Sequence, residues 1–225
     1  MSNSEETSEL PTSELGTKEY WDSAYQTELA NFKDHGDVGE IWFGEDSAMR
    51  VVRWMCNSED IQSSDSIVDL GCGNGMLLVE LADEGFTNLT GVDYSAAAVK
   101  LAEEVSSARQ LNIKFETCDI LADSACPFNG RRFKIVLDKG TYDAISLNPE
   151  NAQEKRSLYI ESVNNLLDVE GLFILTSCNW TQAELEAHFN KYFSVVCVLP
   201  TPQFQFGGKT GSKVASVVFQ RKSSQ

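Results

Sequence analysis

Histidine is nearly absent from this chain: His35 and His188 are the only two among 225 residues. Six cysteines, at 56, 72, 118, 126, 178 and 197, include no CxxC pair. A zinc site draws on clustered thiolates and imidazoles, so no metal is expected, and cysteines in apolar segments read as buried, reduced thiols. Basic residues are also scarce. Lys and Arg number 18 against 34 Asp and Glu, a net charge of -16. A phosphate backbone rewards clustered Lys and Arg, so nucleic acid is not an expected partner. No apolar run approaches the ~18 residues of a membrane span, and no membrane partner is expected. The opening MSNSEETSELPTSEL lacks the basic region and apolar core of a signal peptide. These absences lead us to expect a cytosolic protein, with the nucleus as a second compartment; a monomer is expected, though no sequence feature carries that.

What is present is an ordinary globular composition, 42% hydrophobic and 23% charged, with enough chain for one large domain. Residues 1–14, rich in Ser, Thr and Glu, are expected to be a disordered acidic tail. Residues 15–65 read as a helical lid segment, with Thr17 as N-cap of a helix through Phe32 and a second helix in SAMRVVRWM. In 66–225, short apolar runs alternate with helical stretches: SIVDL, NLTGVD, IKFETCD, FKIVLD, LFILTS, SVVCVLP and KVASVVFQR read as strands. Runs apolar on both faces, such as Ile135–Leu137, mark strands of a parallel sheet covered on both sides. The last two strands, joined by a loop, are expected to pair antiparallel.

VDLGCGNG, residues 68–75, carries the strongest chemical signal. A strand runs into Gly71, Gly73 and Gly75 and then into a helix, so a ligand can approach the main chain there. The spacing is GxGxG rather than the GxGxxG of nicotinamide enzymes. Asp69, two residues before the first glycine, suits a cofactor with positive charge better than a pyrophosphate. S-adenosylmethionine has a sulfonium, an ammonium and no phosphate. Asp93 ends the second strand, where an acid accepts hydrogen bonds from ribose hydroxyls, and Tyr94 follows it. Asp119, after the third strand, is placed to take an adenine amine, with the backbone of Ile120 beside it; an ordinary turn acid is the alternative there.

On these residues the chain resembles the seven-strand S-adenosylmethionine-dependent methyltransferases. The resemblance implies an α/β fold, a Rossmann-like doubly wound sheet with its last strand antiparallel. Ligands of such sheets bind beyond the carboxyl strand ends, where strand order reverses. Asp138, ending the fourth strand in IVLDKGTYDAI, is then expected to overlook the methyl group, both as a cofactor contact and as the catalytic carboxylate. Lys139 is expected to face a structural acid such as Asp143, or solvent.

A narrower similarity runs through LGTKEYWDSAYQTEL, GDVGEIWFGED, DKGTYDAISLNPEN, TSCNWT and LPTPQFQFGG. Together they resemble the methyltransferase-like lysine methyltransferases of translation elongation factor 1-alpha. The resemblance implies methyl transfer to a lysine of that factor. Asn179 is a candidate polar contact in catalysis. Loop aromatics are candidates for the amine and its peptide: Tyr142, Trp180, Phe204 and Phe206, with ring faces suited to a cation. Trp21 and Trp42 are expected to anchor the lid, Trp42 against the cofactor. A small-molecule methyltransferase and a non-catalytic adenosyl-binding protein are the alternatives on the same motifs.

Overall fold

A computed structural model describes residues 9–122, 130–201, 204–206, 209–211 and 214–223, the two three-residue segments by backbone alone. Four parallel pairings build most of the sheet. Strand β1 (Ile67–Leu70) lies between β2 (Leu89–Asp93) and β4 (Phe133–Lys139). Strand β3 (Lys114–Thr117) flanks β2, and β5 (Leu167–Ser177) flanks β4. The far edge is antiparallel: β9 (Ala215–Arg221) pairs with both β5 and β6 (Phe193–Leu199). The seven-strand order is β3-β2-β1-β4-β5-β9-β6. This is the expected fold class, with the order reversing between β1 and β4.

Both faces of the sheet are covered, which is why its central strands read as apolar throughout. Val68, Leu70 and Val136 pack with Tyr159 and Val163 of α6 (Ala152–Leu166) and with Phe189 of α7 (Gln182–Phe189). On the other face, Ile67, Ile135 and Leu137 pack with Leu77 and Leu81 of α3 (Met76–Asp83). Helix α2 (Glu45–Asn57) joins that layer through Ala48, Val51, Val52 and Met55, an i, i+3, i+4, i+7 stripe. It is therefore a core helix and no part of a lid. Helix α1 (Lys18–His35) does start at Thr17, whose hydroxyl accepts Tyr20 N–H at 3.4 Å, and stops at left-handed Gly36. Its Tyr25, Leu29 and Phe32 pack toward Leu101 and Val105 of α4 (Ala96–Ala108).

Three local expectations change. Residues 9–14 are not a free tail: Glu9 pairs with Arg156 at 2.7 Å, Leu10 packs on the core, and Ser13 N–H donates to the Leu147 carbonyl at 2.9 Å. Residues 1–8 lie outside the described residues. The segment after β4 turns into a six-residue helix, α5 (Thr141–Ser146), rather than a loop. Phe204 and Phe206, expected in a loop, lie on a strand: β7 (Phe204–Phe206) pairs antiparallel with β8 (Lys209–Gly211). The side chains of Phe204 and Phe206 lie outside the described residues. No disulfide joins the described cysteines; Cys72 and Cys118 are buried as expected, whereas Cys56 and Cys178 are exposed.

Candidate active site

A cavity of about 460 Å³ crosses the carboxyl ends of β3, β2, β1, β4 and β5. Its wall follows the strand order, from Asp119 through Asp93, Gly71 and Lys139 to Asn179. At ~4.8 Å per strand, four steps give a cleft on the order of 19 Å long.

The glycine loop forms its floor. Gly71 and Gly73 sit at φ 66° and 53°, a left-handed region that disfavours side chains. A Cβ on Gly71 would overlap the Thr141 hydroxyl, which itself donates to the Leu70 carbonyl at 2.6 Å. A Cβ on Gly73 would meet the Tyr25 hydroxyl. Gly75 has a different task from the one its motif suggested. It is not on the cavity wall, and a Cβ there would come within 2.9 Å of Ala102 and 3.1 Å of the Phe115 ring. Its lack of a side chain serves helix-to-sheet packing.

Asp93 is fixed by two backbone donors, Gly73 N–H at 3.1 Å and Ser95 N–H at 2.9 Å. Burial nevertheless raises its pKa to about 6, with those bonds pulling the other way. Tyr94 continues the wall, and Lys18 holds its ammonium 4.8 Å over the Tyr94 ring. Asp119 and Ile120 lie on the same wall, Asp119 accepting Leu121 N–H at 2.9 Å. Asp69 is only 3% exposed and lies behind the wall. Burial raises its pKa to about 7 against the opposing charge of Lys139.

Residues 38–44 run across the cavity as a strap. Asn74 of the glycine loop donates its amide to the carbonyls of Val38 and Glu40, at 3.0 and 3.2 Å. Lys139 donates to the Trp42 carbonyl at 3.1 Å. The structural acids it faces are Asp69 and Asp138 rather than Asp143, and it is half-buried on the cavity wall. Burial lowers the Lys139 pKa, while Asp69 and Asp138 push it up. Trp42 lies on the wall, edge-on to Trp21 with centroids 5.0 Å apart, and Trp21 stacks on Tyr25.

Asp138 requires a correction. It is 2% exposed, is not on the cavity wall, and spends its carboxylate below α5. Thr141 N–H and Tyr142 N–H donate to it at 2.8 and 2.9 Å, and the Tyr159 hydroxyl donates as well. Burial lifts its pKa to about 7 despite those three donors. It caps a helix and does not line the cavity. Tyr142 and Trp180 are likewise core residues, 0% and 4% exposed. The Tyr142 hydroxyl bonds His188 Nδ1 at 2.9 Å, and Trp180 donates its indole N–H to Ser146 at 3.1 Å. Neither ring is on the cavity wall, because α5 and α7 close over both.

Asn179 does reach the wall, beside Cys178 at the end of β5. So does Asp143, which had been assigned only a structural part. Its oxygens accept the Ser177 hydroxyl at 2.5 Å and Cys178 N–H at 2.7 Å, and burial raises its pKa. Among the described residues no cluster of His, Cys, Asp and Glu could hold a metal ion.

Comparison with known proteins bears on this geometry. A family profile described as a methyltransferase domain matches residues 61–218. A human protein named EEF1A lysine methyltransferase 2 is 49% identical over 210 residues, covering 93% of this chain and 87% of its own length. The protein-lysine N-methyltransferase efm4 of Schizosaccharomyces pombe is 42% identical over 232 residues, covering 94% of this chain and 95% of its own. The structure of magnesium protoporphyrin IX methyltransferase (ChlM) from Synechocystis PCC 6803 with bound SAM superposes with a TM-score of 0.65. That alignment covers 94% of this chain and 99% of the other at 19% identity, a likeness of fold alone.

Proposed function

This chain belongs to the EEF1A lysine methyltransferases, and from that premise we propose that it transfers methyl groups from S-adenosylmethionine to a lysine of translation elongation factor 1-alpha. The observation that carries the reading is the single cavity running from the adenosyl-type acids of β2 and β3 to the polar end of β5.

The residues present fit the cofactor. Gly71 and Gly73 let the loop turn tightly against Thr141 and Tyr25, with their backbone on the cavity wall. Asp93 uses one lone pair of each oxygen on backbone donors and keeps others for ribose hydroxyls. Asp119 and Ile120 would take the adenine edge. Lys18 and Lys139 bring positive charge to the wall, suited to a carboxylate. Trp21, Tyr25 and Trp42 exclude water above it. When bound, the cofactor supplies an electrophilic methyl on a sulfonium.

What the protein must supply is a neutral, aligned amine. Deprotonating a free lysine at pH 7 costs about 4.6 kcal/mol. A channel walled by Trp42, Phe43 and Ile145 is partly desolvated, which lowers an amine pKa. Alignment within the cleft contributes the larger part of the rate. Asn179 is proposed as a polar contact to the incoming peptide.

The test is mass spectrometry of elongation factor 1-alpha incubated with the purified protein and S-adenosylmethionine. One lysine gaining 14 mass units per methyl supports the proposal, following ordinary stoichiometry of proton replacement by methyl. A factor left unmodified, with label in small molecules instead, removes it. We further propose a cytosolic monomer; light scattering in solution tests the monomer and cell fractionation the compartment.

A further inference from the structure

Resting on that reading, we propose that Asp143 is the catalytic carboxylate that receives the ε-ammonium of the target lysine and, once that ammonium has lost one proton to solvent, holds the neutral nitrogen in line for transfer. The cavity wall carries four acids, Glu40, Asp93, Asp119 and Asp143. Asp93 and Asp119 belong to β2 and the turn after β3, the half that fits the adenosyl group. Glu40 lies on the strap, over the glycine loop rather than over β4 and β5, with its carbonyl held by Asn74. The acceptor must arrive on the side away from the adenosyl group, across the reversal between β1 and β4. Asp143 is the one acid on the described wall of that half.

Its surroundings support the role. Ser177 Oγ–H and Cys178 N–H each take one lone pair of a different Asp143 oxygen. The Cys178 thiol and the Asn179 N–H also act on it, so the carboxylate is locked in orientation and an arriving ammonium takes the place of one of these weaker donors. An ammonium brings three donors. The competing cation, Lys139, is drawn off to the Trp42 carbonyl, so it does not neutralise Asp143 by direct contact. Asn179, next along the wall, would complete a polar rim. Burial raises the Asp143 pKa, a desolvation that a cation brought beside it would offset.

The experiment uses the full-length enzyme saturated with S-adenosylhomocysteine. Its affinity is measured for elongation factor 1-alpha and for the same factor with the methylated lysine, once mapped, replaced by methionine. Wild-type enzyme should prefer the lysine form about tenfold or more, as for a charge-assisted bond. Asp143→Asn should lose that preference and lower kcat on the order of 100-fold, the scale of misalignment, with the affinity for S-adenosylhomocysteine unchanged. Asp143→Glu keeps the charge and should keep the preference while losing turnover. An Asn variant with the wild-type lysine preference overturns the proposal, even if its kcat falls, because the role would then be structural. If Asp143→Asn does not fold, the other proteins decide. Equal affinity of wild type for the two forms, or full turnover by Asp143→Glu, overturns it. Wild-type enzyme that methylates no lysine of the factor removes the functional reading instead, and this inference with it.

Discussion

Asp93 and Asp138 look alike along the chain. Each stands at the carboxyl end of a central parallel strand, each is buried, and each accepts two backbone N–H groups. They lie on opposite faces of the sheet. Asp138 is level with Leu70, which is level with Val92. Asp93 is one residue further on, so it shares a face with Asp69, Leu137 and Lys139. One step of phase puts Asp93 on the cavity wall and Asp138 beneath α5 with Tyr159. An acid at a strand end is therefore a ligand or a brace according to which way the strand has turned by the time it ends.

The largest expected effect acts on both acids at once. Asp69 and Asp138 have pKa values raised to about 7, and Asp93 to about 6, all chiefly by burial. A carboxyl whose folded pKa exceeds its unfolded value near ~3.9 binds its proton more tightly when folded. Stability from these groups is fully present below ~4 and is lost as pH rises through about 7, by several kcal/mol in all. Asp143, raised by burial, adds to this, while His188 and Lys139, lowered by burial, oppose it. Scanning calorimetry of the cofactor-free protein should give a higher Tm near pH ~5.5 than near pH ~7.5; a flat or inverted profile would contradict the burial of these acids.

Next in size is Asp138→Asn, which leaves three donors competing for one amide oxygen. We expect a loss of about 2–3 kcal/mol, or a fall in Tm of roughly 5–10 °C for a chain this long, with cofactor affinity nearly unchanged. A folded, equally stable mutant with little turnover would restore Asp138 to the reaction and erase the contrast. Asp93→Ala is the counterpart. Titration calorimetry should show S-adenosylmethionine binding weaker by about 1–3 kcal/mol, and unchanged affinity would take Asp93 out of the site. The smallest effect belongs to Glu9→Ala. Its side chain is 55% exposed, so the lost pair with Arg156 should cost no more than about 1 kcal/mol and should alter neither cofactor affinity nor turnover.

The contrast also explains what the sequence disclosed. The glycine loop and Asp93 were legible because a backbone turn needing left-handed φ, followed by an acid at the next strand end, leaves a local signature. A parallel sheet flanked by helices was legible from the alternation of apolar strands and helical stretches, while its doubly wound arrangement came with the family resemblance. The face of Asp138 was not legible. FKIVL is apolar on both sides of its strand, so no alternation marks its phase. Helix α5 was missed for a related reason: six residues are too few to show a helical period. Without that helix, Tyr142 and Asp143 looked like neighbours on one loop. In the structure their side chains part, Tyr142 into the core and Asp143 to the cavity. Trp180 does sit in the bend after β5, but its ring is core, held by Ser146 and His188, partners that lie elsewhere in the sequence.

The placement of β9 reaches beyond the site. It is the last strand in chain order, yet it lies inside the sheet between β5 and β6, and Val217, Val218 and Phe219 are fully or almost fully buried there. Strand β6 pairs with β9 and with no other described strand. During synthesis, β5 and β6 thus emerge with facing edges that nothing can zip until the chain's final strand arrives. The pairing of β9 with β5 is long-range in sequence, the kind of contact that slows folding. Until it forms, the nascent protein carries two open, largely apolar strand edges exposed to other chains. Dependence on chaperones should accordingly be greatest for chains halted just before residue 215 and should drop once β9 is free to insert.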